Sequence, residues 1–210
     1  MKKRKSARRT TSSRKTKRSS KPIAPPTRKS SKTALPEGVP LAYLGLGSNV
    51  GDRRAHLEAA LREIAAFAAV RRVSSFYRTE PVGFPDQPDF WNAAVEISWA
   101  GTPGELLAAV RRVERRVGRT PTFVNGPREI DVDILDLGGK VRTGRDPMLP
   151  HPRLAGRRFA LVPLAEIRPD WIDPRSGIGI AQLLARLPSS PRVRKIGRVR
   201  PESLNSVGPD

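Results

Sequence analysis

Six periodic segments follow one another between Leu41 and Leu137, and their order leaves few folds open. Leu41-Ala-Tyr-Leu-Gly-Leu46 is a short apolar run that ends in Gly47-Ser-Asn-Val-Gly-Asp52, which predicts a strand, a turn and a helix capped by Asp52. Leu57, Ala60, Leu61, Ile64 and Phe67 then recur at helical spacing. Val70 to Tyr77 reads as a second strand and Asn92 to Trp99 as a third, separated by the Pro/Gly loop Pro81 to Pro88, which no helix or central strand would tolerate. Thr102-Pro-Gly-Glu105 is a capping box with Pro at the first helical position, and it opens a helix through Leu106, Leu107, Val110, Val113 and Val117 to Gly118. After a loop from Arg119 to Pro127, Glu129 to Leu137 alternates Ile130, Val132 and Ile134 against Asp131, Asp133 and Asp136.

Strand, helix, strand, strand, helix, strand is the split βαβ order of ferredoxin-like α+β folds. Such a fold hosts many functions and selects none of them. Beyond it the pattern predicts a loop carrying Pro147, Pro150 and Pro152, a short strand near Phe159 to Val162, a helical turn at Leu164 to Ile167 and a last helix from Ile178 to Leu187.

The 210 residues suffice for one domain with tails. The chain has no cysteine, so disulfides and thiolate metal sites are excluded and a cytoplasmic location is favoured. No apolar run reaches the length of a membrane helix. The net charge of +20 would point to a nucleic-acid partner if it covered the folded surface, but residues 1–38 hold 14 Lys/Arg and a single acid, Glu37. That stretch has almost nothing apolar to bury, so it reads as a disordered basic tail, with nucleic-acid contact as one open role. The same reading makes 39–188 the folded domain and 189–210, with Pro191, Pro201 and Pro209, a second disordered tail.

Asp131 and Asp133 stand two apart on a predicted strand, so both leave one face while Ile130, Val132 and Ile134 point to the core. Their Cα atoms would lie about 7 Å apart, and like charges at that distance repel by roughly 2 kcal/mol at an effective dielectric of about 20. A cation should sit between them. Hard oxygen ligands on a rigid strand suit Mg²⁺, although a surface pair neutralised by Arg128 fits the spacing too. Arg119, Arg128, Arg157 and His151 lie in Pro- and Gly-punctuated loops flanking the strand. Arginine grips phosphate oxygens through its planar fork, and past residue 40 the only lysines are Lys140 and Lys195.

Gly126-Pro-Arg-Glu-Ile-Asp-Val-Asp-Ile-Leu135 resembles the signature of the 6-hydroxymethyl-7,8-dihydropterin pyrophosphokinase family. Tyr43-Leu-Gly-Leu-Gly-Ser-Asn49, Ser74-Ser-Phe-Tyr-Arg-Thr79, Asp86-Gln-Pro-Asp-Phe-Trp-Asn92 and Pro150-His-Pro-Arg-Leu154, followed by Arg157, Phe159 and Pro163-Leu-Ala-Glu-Ile167, resemble further family blocks in the family order. The resemblance runs from about Leu41 to Leu187. It implies a three-layer α/β/α, ferredoxin-like core with a mostly antiparallel sheet; the expected working unit is a monomer. It also implies ATP as co-substrate and two Mg²⁺ ions held by Asp131 and Asp133. By the same resemblance Arg119 and Arg128 stabilise the transferred diphosphate, and Glu114, His151 and Arg157 bind the nucleotide. Phe90 and Phe159 would sandwich the pterin ring, Asn92 would bond its amide-like edge, and the backbone of Thr79 and Val82 would complete the pocket.

The reaction so implied is attack of the pterin hydroxymethyl oxygen on the β-phosphorus of ATP with AMP leaving, a chemistry that asks for positioning and charge neutralisation rather than a nucleophile. The loop from Arg119 to Pro127 departs from the family pattern. It is one residue shorter, and Pro121, Val124 and Asn125 stand where a second arginine, a basic residue and a Trp are usual. The expectation is a mobile lid that closes weakly.

Overall fold

The computed structural model describes residues 38–144 and 146–199. The predicted basic tail, apart from its last residue, and the end of the chain from 200 lie outside the described residues. The first strand, β1 (Leu41–Ser48), leads to α1 (Arg53–Ala65), whose N-terminus Asp52 caps by accepting from the Ala55 amide at 3.0 Å. Next come β2 (Ala69–Val73), β3 (Phe76–Thr79), β4 (Phe90–Ser98), α2 (Pro103–Val117) and β5 (Asp131–Leu137). The capping box that opens α2 forms as expected, and Gly118 closes that helix at a φ of 98°, where a left-handed residue is required. The last described helices and strand are α3 (Arg158–Ile167), α4 (Ile180–Arg186) and β6 (Val193–Gly197).

Every strand pair is antiparallel, in the order β5-β1-β4-β3-β6, with β2 also on β4. α1 and α2 pack on one face through Leu57, Leu61, Ile64, Leu106, Val110 and Val113 against Leu44, Leu46, Val95 and Ile134. On the other face α3 and α4 bury Leu161, Leu164, Ile167 and Leu183 against Tyr43, Ala94 and Leu135. The result is the expected α+β, three-layer arrangement.

Four local expectations change. The single strand expected over 70–77 is two pieces, β2 and β3, broken at Ser74 and Ser75, where Ser74 Oγ accepts from the Ala94 amide and restores the pairing. The alternation on β5 slips at Leu135, which is the extra residue of a bulge between Ile134 opposite Leu44 and Asp136 opposite Tyr43. That slip buries Asp136 against the Trp171 indole N–H, at 3.0 Å. The strand expected at 159–162 is the start of α3, because a short apolar run has no period to separate a strand from a helix buried between layers. Finally, the domain does not stop at 188. Part of the segment expected to be a second disordered tail forms β6, whose Val193 pairs with Thr79 and whose Lys195 pairs with Tyr77.

Candidate active site

On the α3/α4 face, Gly45 and Gly47 of β1, Asn92 of β4, Thr79 of β3 and Asp131 and Asp133 of β5 form one surface that the helices leave partly bare. A cleft of about 790 Å³ opens there. Its floor is flat because it is glycine: a Cβ on Gly47 would come within 3.2 Å of Asn92 Oδ1, and one on Gly45 within 3.1 Å of Leu135 Cδ2.

The β5 end is ionic. Arg119 donates to Asp131 Oδ1 at 2.8 Å and Arg128 to Asp131 Oδ2 at 3.1 Å, while Arg157 donates to Asp133 Oδ2 at 3.0 Å. Burial, and then the neighbouring Asp133 carboxylate, push the Asp131 carboxyl above its ordinary range, against the pull of the three arginines. For Arg119 burial works against the charge, but Asp131 and Glu114 outweigh it and hold the proton more firmly. Glu114 reaches up from α2, accepting from Arg119 and from the Val132 amide at 2.9 Å. It therefore ties the arginine to the strand instead of lining the cleft. His151 Nδ1 accepts from the Arg153 amide at 3.2 Å, and its Nε2 lies 3.4 Å from Arg157 Nη1 and 3.8 Å from Asp133 Oδ2. Burial lowers its pKa, which favours the neutral ring.

The β3/β4 end is apolar and amide-lined. Phe90, Phe159, Asn92, Thr79 and Val82 all face the cleft. Asn92 is buried and donates to Thr79 Oγ1 at 2.6 Å, which fixes the orientation of its amide. Arg128 lies over the Phe90 ring at 5.8 Å and Arg157 over Phe159 at 5.5 Å, so each aromatic wall abuts one of the cationic groups. Of the twelve residues given a catalytic or binding role from the sequence, nine line the cleft; Glu114, Arg119 and His151 stand behind Asp131 and Asp133.

Sequence reasoning gave no role to Asn49 or Gln87, although both lie in blocks that carry the resemblance. Asn49 is 1% exposed. Its Oδ1 accepts from the Arg128 amide at 2.8 Å, and its Nδ2 donates to Gln87 Oε1 at 2.9 Å and to the Pro88 carbonyl at 3.1 Å. Gln87 in turn donates to the carbonyls of Phe84 and Asn125. Two loops and the end of β1 are thus fastened at one buried amide. Arg153, Arg158 and the Leu187 to Pro191 segment also line the cleft; a Pro- and Ser-rich stretch gives no sign of this in the sequence.

A cleft with paired carboxylates and arginines at one end and an aromatic, amide-lined wall at the other suits a phosphate-bearing group at the first and a flat ring at the second. The 7,8-dihydro-6-hydroxymethylpterin-pyrophosphokinase (HPPK) family matches residues 43–169. The chain is 37% identical over 186 residues to the 2-amino-4-hydroxy-6-hydroxymethyldihydropteridine pyrophosphokinase of Synechocystis sp., covering 85% of this chain and 95% of that one. It is 44% identical over 129 residues to the Bacillus subtilis protein of the same name, covering 60% of this chain and 77% of that one. The fold is similar to that of Plasmodium falciparum HPPK-DHPS, with a TM-score of 0.58 at 14% identity over 70% of this chain. The chain spans 44% of that longer solved protein. The protein belongs to the HPPK family.

Proposed function

We propose that the cleft performs the reaction of its family, transfer of pyrophosphate from ATP to 6-hydroxymethyl-7,8-dihydropterin in folate biosynthesis. The observation that carries the reading is the meeting, on one sheet face, of the Asp131/Asp133 pair with three arginines and of Phe90, Asn92 and Phe159. The ring would lie between Phe90 and Phe159 with its amide edge on Asn92, and ATP would extend toward β5. The pterin hydroxymethyl oxygen bonds to the β-phosphorus as the bond from that phosphorus to the α,β-bridging oxygen breaks; AMP leaves with the bridging oxygen, and the hydroxyl proton passes to solvent or a phosphate oxygen.

Among the described residues no group of three His, Cys, Asp or Glu side chains forms a metal cage. The chain therefore offers two carboxylates and leaves the rest of a metal shell to phosphate and water, which fits Mg²⁺. Asp131 and Asp133 would hold it, as two ions in this reading, and bound Mg²⁺ supplies neutralisation of phosphate charge. Arg119 and Arg128 leave Asp131 to meet the transferred diphosphate, and Arg157, with His151 behind it, meets the remaining nucleotide phosphates. Glu114 keeps Arg119 within reach when its partner changes from carboxylate to phosphate. Loops 81–88 and 119–127 cover the ligands and exclude water.

Among the described residues no helix is long and apolar enough to cross a membrane. The working unit in this reading is a cytoplasmic monomer. Residues 1–38 stand outside the catalytic task, so their deletion should leave kcat and KM unchanged at matched ionic strength and remove any retention of the chain on nucleic acid. The decisive assay supplies ATP, Mg²⁺ and 6-hydroxymethyl-7,8-dihydropterin and identifies the nucleotide product. AMP formed only with pterin supports the reading; ADP, or no pterin-dependent product, ends it.

A further inference from the structure

The family match ends at residue 169, yet Leu187, Pro188, Ser190 and Pro191 line the cleft. They connect α4 to β6, the outermost strand next to β3, and Thr79 lies opposite Val193. Antiparallel pairing carries the residues just before Val193 alongside Glu80, which also lines the cleft. The sheet order fixes which end of the cleft this is. Strands lie about 4.8 Å apart, so β6 is roughly 19 Å across the sheet from β5 and its aspartates, but adjacent to Thr79 and two strands from Asn92. The 187–191 segment therefore closes the aromatic end, away from the phosphate end.

One carboxylate fastens this wall. Glu166, near the end of α3, accepts from the Ser75 amide at 2.8 Å, Ser75 Oγ at 2.9 Å, Tyr77 Oη at 2.8 Å and Lys195 Nζ at 2.7 Å. Through it, α3, β3 and β6 converge. α3 carries Phe159 near its start and β3 ends at Thr79, so the carboxylate references the wall to two of the residues it faces. Lysine suits the place: Glu166 Oε1 already accepts from Ser75, and an ammonium adds one more donor where the planar fork of arginine asks for two free oxygens.

We propose that residues 187–191 form a specificity wall for the ring of the pterin substrate, and that Glu166 and Lys195 are positioning residues that hold this wall against Phe159 and Thr79. The wall's apolar members, Leu187, Pro188 and Pro191, suit the edge of a flat bicyclic ring, and their fixed position limits what that ring can carry on this side. The proposal rests on the pterin reading of the cleft, and its test separates the two.

The full chain is first assayed for AMP formation, which judges the reaction by itself. Lys195→Met and Ser190→Trp are then compared with it by steady-state kinetics and by equilibrium dialysis of the pterin in the presence of Mg²⁺ and a non-hydrolysable ATP analogue. Lys195→Met should raise the pterin KM about tenfold while the ATP KM and kcat stay within about twofold. Ser190→Trp adds bulk at an exposed position, so it should keep the melting temperature and weaken pterin binding by a similar factor. A pterin KM unchanged in both variants, or pterin and ATP constants shifted equally, overturns the wall. If Lys195→Met does not fold, Ser190→Trp decides alone. If the wild type binds pterin but makes no AMP, the reaction is wrong and dialysis of the variants still judges the wall; if it binds no pterin, both proposals fall.

Discussion

The two ends of the cleft are built in opposite ways. At the β5 end, Arg128, Asp131 and Asp133 fall within six residues, and strand periodicity alone puts the two aspartates on one face. At the other end, Thr79, Phe90, Phe159 and Leu187 to Pro191 come from four separate stretches, and only pairing register and helix packing bring them together. The carboxylate pair of the charged end is a local arrangement; the ring end is a tertiary one. Ligands for phosphate and metal can be written in a motif, whereas the shape that receives a ring must be assembled.

The largest effect should come from breaking the local end. Asp131→Ala and Asp133→Ala, assayed with folding checked by circular dichroism, are expected to lose activity by about a thousandfold or more each. Both side chains are partly exposed, so the far-ultraviolet spectrum should stay that of the wild type. Retained turnover in a folded variant would remove the paired carboxylates from the chemistry.

Asn49 joins the ends, and its two sides can be cut separately. Asn49→Ala deletes the acceptor for the Arg128 amide and the donor to Pro88 and Gln87 inside a buried site, so kcat should fall about a hundredfold with a stability loss of about 2 kcal/mol. Asn49→Asp keeps the acceptor and loses the donor. It should spare kcat and raise the pterin KM, because Arg128 stays placed while the loop leading to Phe90 loosens. Equal effects of the two substitutions on kcat would show that the amide serves the fold alone.

The same division separates what is legible in the amino-acid sequence from what is not. The capping box of α2 and the alternation at the start of β5 are set by neighbours in sequence, and these formed as expected. The elements that differ from expectation depend on distant partners. Phe159 to Val162 is helical because it is buried between layers, and Val193 to Gly197 pairs because β3 offers an edge and Glu166 a carboxylate. Asn49 ends the Tyr43 to Asn49 block, but its role needs the chain to bring Arg128 back across 79 positions.

At the tertiary end, Phe159→Ala should raise the pterin KM about tenfold and leave the ATP KM within about threefold, measured in the same steady-state assay. A matching rise in both would place the ring elsewhere. The Glu166 latch should show in pH. Burial alone would raise this carboxyl, yet Lys195, Ser75 and Tyr77 hold it down to about 2 from an ordinary 4.5. Its contribution to stability is therefore complete above pH 4.5 and lost as pH falls through 2. The melting-temperature gap between wild type and Glu166→Gln should be constant above pH 4.5 and close below it; a gap independent of pH over that range would show that the charge is not what latches β6.

The smallest effects concern the cover over the cleft, where the structure revises the expectation drawn from Asn125. A small amide in place of a usual Trp suggests a weak lid, and full burial of a large apolar side chain is worth about 1.5–3 kcal/mol. But Asn125 sits at a φ of 61°, in the left-handed region that asparagine tolerates and that costs other side chains about 1–2 kcal/mol. Its carbonyl accepts from Gln87 at 3.0 Å, so this backbone belongs to the fastening of the two loops. The apolar cover lies two residues earlier: Phe123 meets Phe84 edge-on with ring centroids 5.3 Å apart, joining the loops at their exposed tips. In Asn125→Trp the gain in cover and the backbone cost nearly cancel, so affinity for a non-hydrolysable ATP analogue with pterin should change by less than about threefold. Phe123→Ala forfeits an aromatic pair worth about 0.5–1.5 kcal/mol and should weaken the same complex by up to about tenfold. A strong tightening by Asn125→Trp, with no loss from Phe123→Ala, would mean that the loop leaves its left-handed turn when the ligands bind and that position 125 is the cover after all.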